Sequence, residues 1–74
     1  MTYENILGIL KSNHFNPTRK TKDGKIIEIH VECPATILMD SKKARLEEIL
    51  KEAAVDATVQ AMSNEGYLLI KKIK

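Results

Sequence analysis

The alternation of side chains along residues 25–33 constrains the fold of this chain more than any other feature. One set of side chains on this run is Ile27, Ile29, Val31 and Cys33, and the other is Ile26, Glu28, His30 and Glu32. A period of two is typical of a β-strand with one face in a core and the other in water. The predicted strand therefore buries Ile27, Ile29 and Val31 and leaves Glu28, His30 and Glu32 more exposed.

The dipeptide just before this run indicates a hairpin. Asp23-Gly24 favours a type I′ turn, because both central residues of that turn need a positive φ. Residues 18–22 would then form a short edge strand, and its lysine and arginine side chains would oppose edge-to-edge aggregation.

Helical spacing is found at both ends of the chain. Tyr3, Ile6, Leu7 and Leu10 predict an amphipathic helix over residues 3–12, with Thr2 as the N-cap. A second, longer helix is predicted over residues 41–62, capped by Asp40 or Ser41 and ended by the turn 63–66. Residues 67–73 are predicted to form a final strand.

These elements predict an α+β fold in a single small two-layer domain, residues 1–74. The expected order is α-β-β-α-β. It gives a short three-stranded sheet with one face covered by two helices, and a brief strand at 36–39 would add a fourth. The pairing direction of the strands at 25–33 and 67–73 is left open, and a right-handed parallel crossover around the long helix is one arrangement that the order allows. The sequence shows no internal repeat.

Cysteine content and the N-terminal residues bear on the compartment. The chain of 74 residues has one cysteine, Cys33, which cannot pair within the chain. The N-terminal residues do not have the pattern of a secretory signal, and no apolar run is long enough to cross a membrane. We expect a cytoplasmic protein without membrane association.

The predicted long helix would have two apolar sides. Its core side would carry the set Leu46, Ile49, Leu50, Ala53, Ala57 and Ala61. The opposite side would carry Val55, Val59 and Met62, which we interpret as a partner surface because exposed apolar patches often mark interfaces. The alternative is that the N-terminal helix covers this side.

The basic residues are clustered although the net charge is only +2. Two clusters are candidates for contact with an anion or a nucleic acid: Arg19, Lys20, Lys22 and Lys25, and Lys42, Lys43 and Arg45. A third cluster comprises Lys71, Lys72 and Lys74. The alternative for the middle cluster is that neighbouring acids neutralise its charges on a solvated helix end.

No catalytic constellation is evident in the sequence. Cys33 and His30 are an odd number of residues apart on a strand, so their side chains are expected on opposite faces. His30 lies between Glu28 and Glu32 on a face that we expect to be solvated. No cofactor or metal is predicted, since His14, His30 and Cys33 lack the close paired spacing of zinc ligands.

The sequence thus favours a non-enzymatic interaction module that acts through protein–protein contact, as a homo-oligomer or with another protein. The alternative function is nucleic-acid or anion binding through residues 19–25 and 42–45.

Overall fold

The computed structural model describes residues 2–34 and 36–73 and confirms the α+β class. Its elements in chain order are α1 (Tyr3–Ser12), β1 (Pro17–Lys22), β2 (Lys25–Glu32), α2 (Met39–Glu52), β3 (Ala57–Met62) and β4 (Tyr67–Lys72). A short 3₁₀ helix, Thr36–Leu38, precedes α2. The strands form one antiparallel sheet in the order β1-β2-β4-β3.

The first half of the chain follows its local signals. Helix α1 has the predicted bounds, and the Thr2 hydroxyl accepts a hydrogen bond from the Asn5 N–H at 3.2 Å. Asp23 and Gly24 have φ angles of 54° and 79°, as a type I′ turn requires. The predicted hairpin is therefore confirmed.

The prediction of one long helix over residues 41–62 is wrong. Helix α2 begins at Met39 without a side-chain cap from Asp40 or Ser41, and it ends at Glu52. Ala54 then adopts a left-handed φ of 57°, and the chain turns back as β3. The prediction rests on the helical spacing of the set Leu46, Ile49, Leu50, Ala53, Ala57 and Ala61. Residues 53–62 also alternate with a period of two, which was the missed signal of a strand.

Strands β2 and β4, whose pairing direction the sequence left open, pair antiparallel, with Ile29 opposite Ile70 and Val31 opposite Leu68. The extra strand β3 reverses the chain once more before β4 and so changes the direction of β4. Residues 36–38 form a 3₁₀ helix instead of a strand.

The structure contains a repeated α-β-β unit that the sequence did not reveal. Each helix ends in the same way: Phe15 N–H bonds to Leu10 O at 3.0 Å, and Val55 N–H bonds to Leu50 O at 2.9 Å. The residue before each donor has a left-handed φ, 67° at His14 and 57° at Ala54. The strand order β1-β2-β4-β3 is accordingly symmetric about the β2–β4 pair.

Both helices pack on one face of the sheet and share a single core. The buried cluster comprises Ile6, Leu7, Leu10, Ile29, Val31, Cys33, Met39, Leu46, Leu50, Val55, Val59, Leu68 and Ile70. Burial of Ile29 and Val31 confirms the predicted register of β2, whereas Ile27 is 40 % exposed and contradicts it.

A β-bulge explains the exposure of Ile27. Lys20 lies opposite Glu28 and Thr21 lies opposite Ile26, so Ile27 has no partner on β1. The bulge shifts the alternation by one residue, and Ile26 packs against the core in place of Ile27.

The hydroxyl of Tyr3 connects β2 to β4 beyond the last pair of their ladder. It donates a hydrogen bond to Ile27 O at 2.8 Å and accepts one from the Lys72 backbone N–H at 3.0 Å. Continued from the Ile29–Ile70 pair, a regular antiparallel ladder would place these two backbone groups opposite each other. Helix α1 thus supplies a bridge between the two central strands.

Candidate functional site

Neither helix covers the face of the sheet that is turned away from the core. We call it the open face. The register with the buried residues of β2 and β4 assigns to it Thr18, Lys20, Glu28, His30, Glu32, Thr58, Gln60, Met62, Tyr67, Leu69 and Lys71. Tyr67, Leu69 and Met62 are half-buried there, although neither helix covers this side.

Two ring side chains stack on the two central strands of the open face. The His30 and Tyr67 rings have centroids 3.9 Å apart and planes only 10° from parallel. His30 lies opposite Leu69, and Tyr67 lies opposite Met62 on β3. Tyr67 also lies opposite Glu32, so Tyr67 and Met62 form an apolar patch with Leu69 that reaches one end of the open face.

The expected solvated environment of His30 is only partly observed. Its Nε2 lies 2.5 Å from Oε2 of Glu28, and the His30 side chain is 15 % exposed. An ionised carboxylate can only accept, so this hydrogen bond makes Nε2 the donor. Glu28 is therefore already engaged within the chain, whereas Glu32 is exposed.

The two ends of the open face carry opposite charges. Lys22 and Lys71 lie toward the Asp23-Gly24 turn, where β2 begins and β4 ends. At the other end of these strands lie Glu32 and Glu65, which line, together with Lys20, a shallow depression of about 200 Å³ beside the ring stack. The open face thus has a basic end, and its other end combines two carboxylates with the side chains of Tyr67 and Met62.

Of the predicted partner surface, only Met62 belongs to the open face. Val55 and Val59 are 7 % and 8 % exposed and form part of the core. The two-sided helix from which this surface was inferred does not exist, because residues 57–62 are a strand. The placement of Val55 and Val59 on a surface is therefore wrong.

The two predicted basic clusters lie apart. Lys42 is near the end of β2 that holds Glu32 and Pro34, whereas Arg19 and Lys25 are near its beginning. An eight-residue strand spans about 26 Å. The fold therefore does not combine the clusters into one surface.

Neighbouring acids neutralise much of the cluster on α2. Lys43 Nζ lies 3.4 Å from Glu47 Oε1, and Arg45 Nη1 lies 3.5 Å from Glu48 Oε1. Both pairs are one helical turn apart in sequence, which is the usual spacing for ion pairs on a helix surface.

Two basic residues of the β1–β2 hairpin, Arg19 and Lys25, instead lie near Lys72 at the end of β4. Arg19, Lys25 and Lys72 line one depression of about 360 Å³, together with Tyr3 and Glu4 of α1. We call this the basic depression. The ammonium group of Lys72 is 5.2 Å from the centroid of the Tyr3 ring. Lys74 of the predicted C-terminal cluster lies outside the described residues.

Sequence reasoning missed the basic depression because Lys72 is far from Arg19 and Lys25 along the chain. Only the central position of β4 in the sheet brings its last residue close to the β1–β2 hairpin. The sequence shows the cluster of Lys71, Lys72 and Lys74, but it does not show which residues of other strands lie next to it.

Other chemistry is limited within the residues that the structure describes. Cys33 is 1 % exposed and belongs to the core, on the opposite side of the sheet from His30. In residues 2–34 and 36–73, no three His, Cys, Asp or Glu side chains are grouped so that they could hold a metal ion. Within the same ranges, no helix has the length and apolar character needed to cross a membrane.

Comparison of the chain with family models, curated proteins and solved structures found no match.

Proposed function

We propose that this protein is a non-enzymatic interaction module that self-associates by packing the open face of one chain against the open face of a second copy. The observation that carries the proposal is the apolar patch formed by Tyr67, Leu69 and Met62 on the side of the sheet that neither helix covers. Antiparallel sheets with a second apolar face commonly bury it against another sheet at a spacing of about 10 Å.

The charges of the open face favour a second copy as the partner. A two-fold axis perpendicular to the strands would place Lys71 of one chain near Glu32 of the other, and every such contact would occur twice. Within one chain these two residues are four strand positions apart, about 13 Å. They therefore do not pair with each other within one chain.

The size of the open face sets the expected strength of association. Four strands at about 4.8 Å spacing and six residues of about 3.3 Å each give a footprint of roughly 400 Å². Stable complexes bury about 800 Å² of accessible surface on each partner. We therefore expect a dimer that dissociates in the micromolar range. The single cysteine of the chain is consistent with our further proposal of a reducing, cytoplasmic compartment.

Sedimentation velocity over a range of micromolar concentrations tests the proposal. Leu69→Glu should give a monomer, because it places a carboxylate in the apolar patch of the contact. Ile37→Glu is the matched control, since Ile37 is 88 % exposed on the 3₁₀ helix, away from the open face. Circular dichroism melting curves establish that both variants are folded.

A charge reversal tests the orientation of the two chains. Lys71→Glu should weaken the dimer through repulsion from Glu32 of the second copy, and adding Glu32→Lys should restore it. A wild-type chain that stays monomeric at high micromolar concentration contradicts the proposal. Dissociation by Ile37→Glu and not by Leu69→Glu would move the interface to the 3₁₀ helix.

A further inference from the structure

We propose that the basic depression binds the phosphodiester backbone of a double-stranded nucleic acid. This site is separate from the open face and does not depend on self-association. It combines cations from two parts of the chain, Arg19 and Lys25 of the hairpin and Lys72 at the end of β4. Three cations around one concave surface suit a ligand with closely spaced negative charges.

The state of the cations distinguishes this site from the other candidate. Among residues 2–34 and 36–73, no carboxylate lies within 4.0 Å of the charged groups of Arg19 or Lys25. Lys43 and Arg45 on α2, by contrast, both have glutamate partners. A phosphate bound by Arg19 and Lys25 would therefore not need to displace an ion pair of these two side chains.

The surroundings of the depression add positive charge. Lys22 lies directly opposite Lys25 at this end of the sheet, and Lys71 lies next to Lys72 on the other face. Tyr3 gives the depression a defined wall, because its hydroxyl is held by Ile27 O and the Lys72 N–H. Among the described residues, Glu4 is the one carboxylate that lines the depression, and it opposes an anion there.

The absence of an available stacking surface favours duplex over single-stranded nucleic acid. Single-strand binders hold successive bases on aromatic side chains. Among the described residues, Tyr67 is stacked on His30 on the open face, Tyr3 carries Lys72 over its ring, and Phe15 packs against the core. Charged contacts to the backbone of a duplex need no such platform and do not depend on base sequence.

Fluorescence anisotropy with a labelled DNA duplex of about 20 base pairs tests this inference, at salt concentrations from about 50 to about 200 mM. The test variant is Arg19→Gln with Lys25→Gln, and the matched control is Lys43→Gln with Arg45→Gln. Both double variants lower the net charge by two, from +2 to 0. Thermal melting of each variant establishes that it is folded.

We expect the test variant to bind at least about tenfold more weakly near 50 mM salt. Its plot of log K against log salt should also fall less steeply, by about 2 units of slope. The control variant should retain the wild-type slope, and Glu4→Gln should bind more tightly than wild type. The monomeric variant Leu69→Glu should still bind the duplex, which separates this inference from the proposed self-association.

Three results would overturn the inference. The first is equal weakening by the two double variants, because binding would then follow net charge rather than the basic depression. The second is tighter binding of a single strand of the same sequence than of the duplex. The third is no detectable binding by the wild-type chain near 50 mM salt.

Discussion

Ala54 is a position where replacing alanine by glycine should stabilise the protein. Ala54 is exposed and follows the last turn of α2 with a φ of 57°. Its N–H bonds to Lys51 O at 3.0 Å, and the next N–H, of Val55, bonds to Leu50 O at 2.9 Å. Glycine is the preferred residue at such a helix end because a side chain is disfavoured in this conformation.

Two opposing terms give the expected change in the free energy of unfolding. An L-residue in the left-handed region is disfavoured by about 1–2 kcal/mol. Glycine loses more backbone entropy on folding, about 0.5–1 kcal/mol relative to alanine. Ala54→Gly should therefore stabilise the protein by about 0.5–1 kcal/mol. For a domain of this size, that corresponds to a rise in Tm of about 2–8 °C.

Urea denaturation followed by circular dichroism measures this change, with Ala44→Gly as the matched control. Ala44 lies inside α2, where glycine should destabilise the protein by about 1 kcal/mol. The two variants are thus expected to have opposite effects. If both variants destabilise the protein equally, Ala54 is helical. Helix α2 would then continue beyond Glu52, and residues 57–62 would not form strand β3.

Three further substitutions test other parts of the structure, each measured by chemical denaturation. Tyr3→Phe should destabilise the protein by about 1 kcal/mol, because it removes the hydroxyl between β2 and β4, whereas Tyr67→Phe should change stability by less than about 0.5 kcal/mol. Equal effects of these two would contradict the bridging role of Tyr3. Leu50→Ala should destabilise the protein by about 2–5 kcal/mol, and an unchanged Tm would show that this residue is not in the core. Val59→Glu should unfold the chain, because it buries a carboxylate in the core. A variant that stays folded but becomes monomeric would instead show that Val59 lies on a partner surface.

The sequence alone determined the elements whose signals are local. Helix α1 has its capping threonine and its apolar spacing within a few residues of each other. The hairpin is specified by Asp23-Gly24, which adopts the required backbone conformation with little help from the rest of the chain. The alternation of β2 likewise identified Ile29 and Val31 as core residues.

Tertiary structure decided the second half of the fold. Residues 57–62 include good helix formers, and their intrinsic propensity favours continuing α2. Pairing with β4 satisfies their backbone groups and buries Val59 against the core, and these gains outweigh a propensity difference of less than about 1 kcal/mol per residue. The bulge at Ile27 was equally invisible, since it depends on the register between β1 and β2.

The candidate sites follow the same division. The sequence identified the basic residues of the hairpin and placed His30 on the face of β2 away from the core. It did not indicate that Lys72 would join Arg19 and Lys25, or that Tyr67 would stack on His30. These contacts arise because β4 lies between β2 and β3 in the sheet. The position of a residue along the chain does not indicate which residues lie beside it in a sheet until the strand order is established.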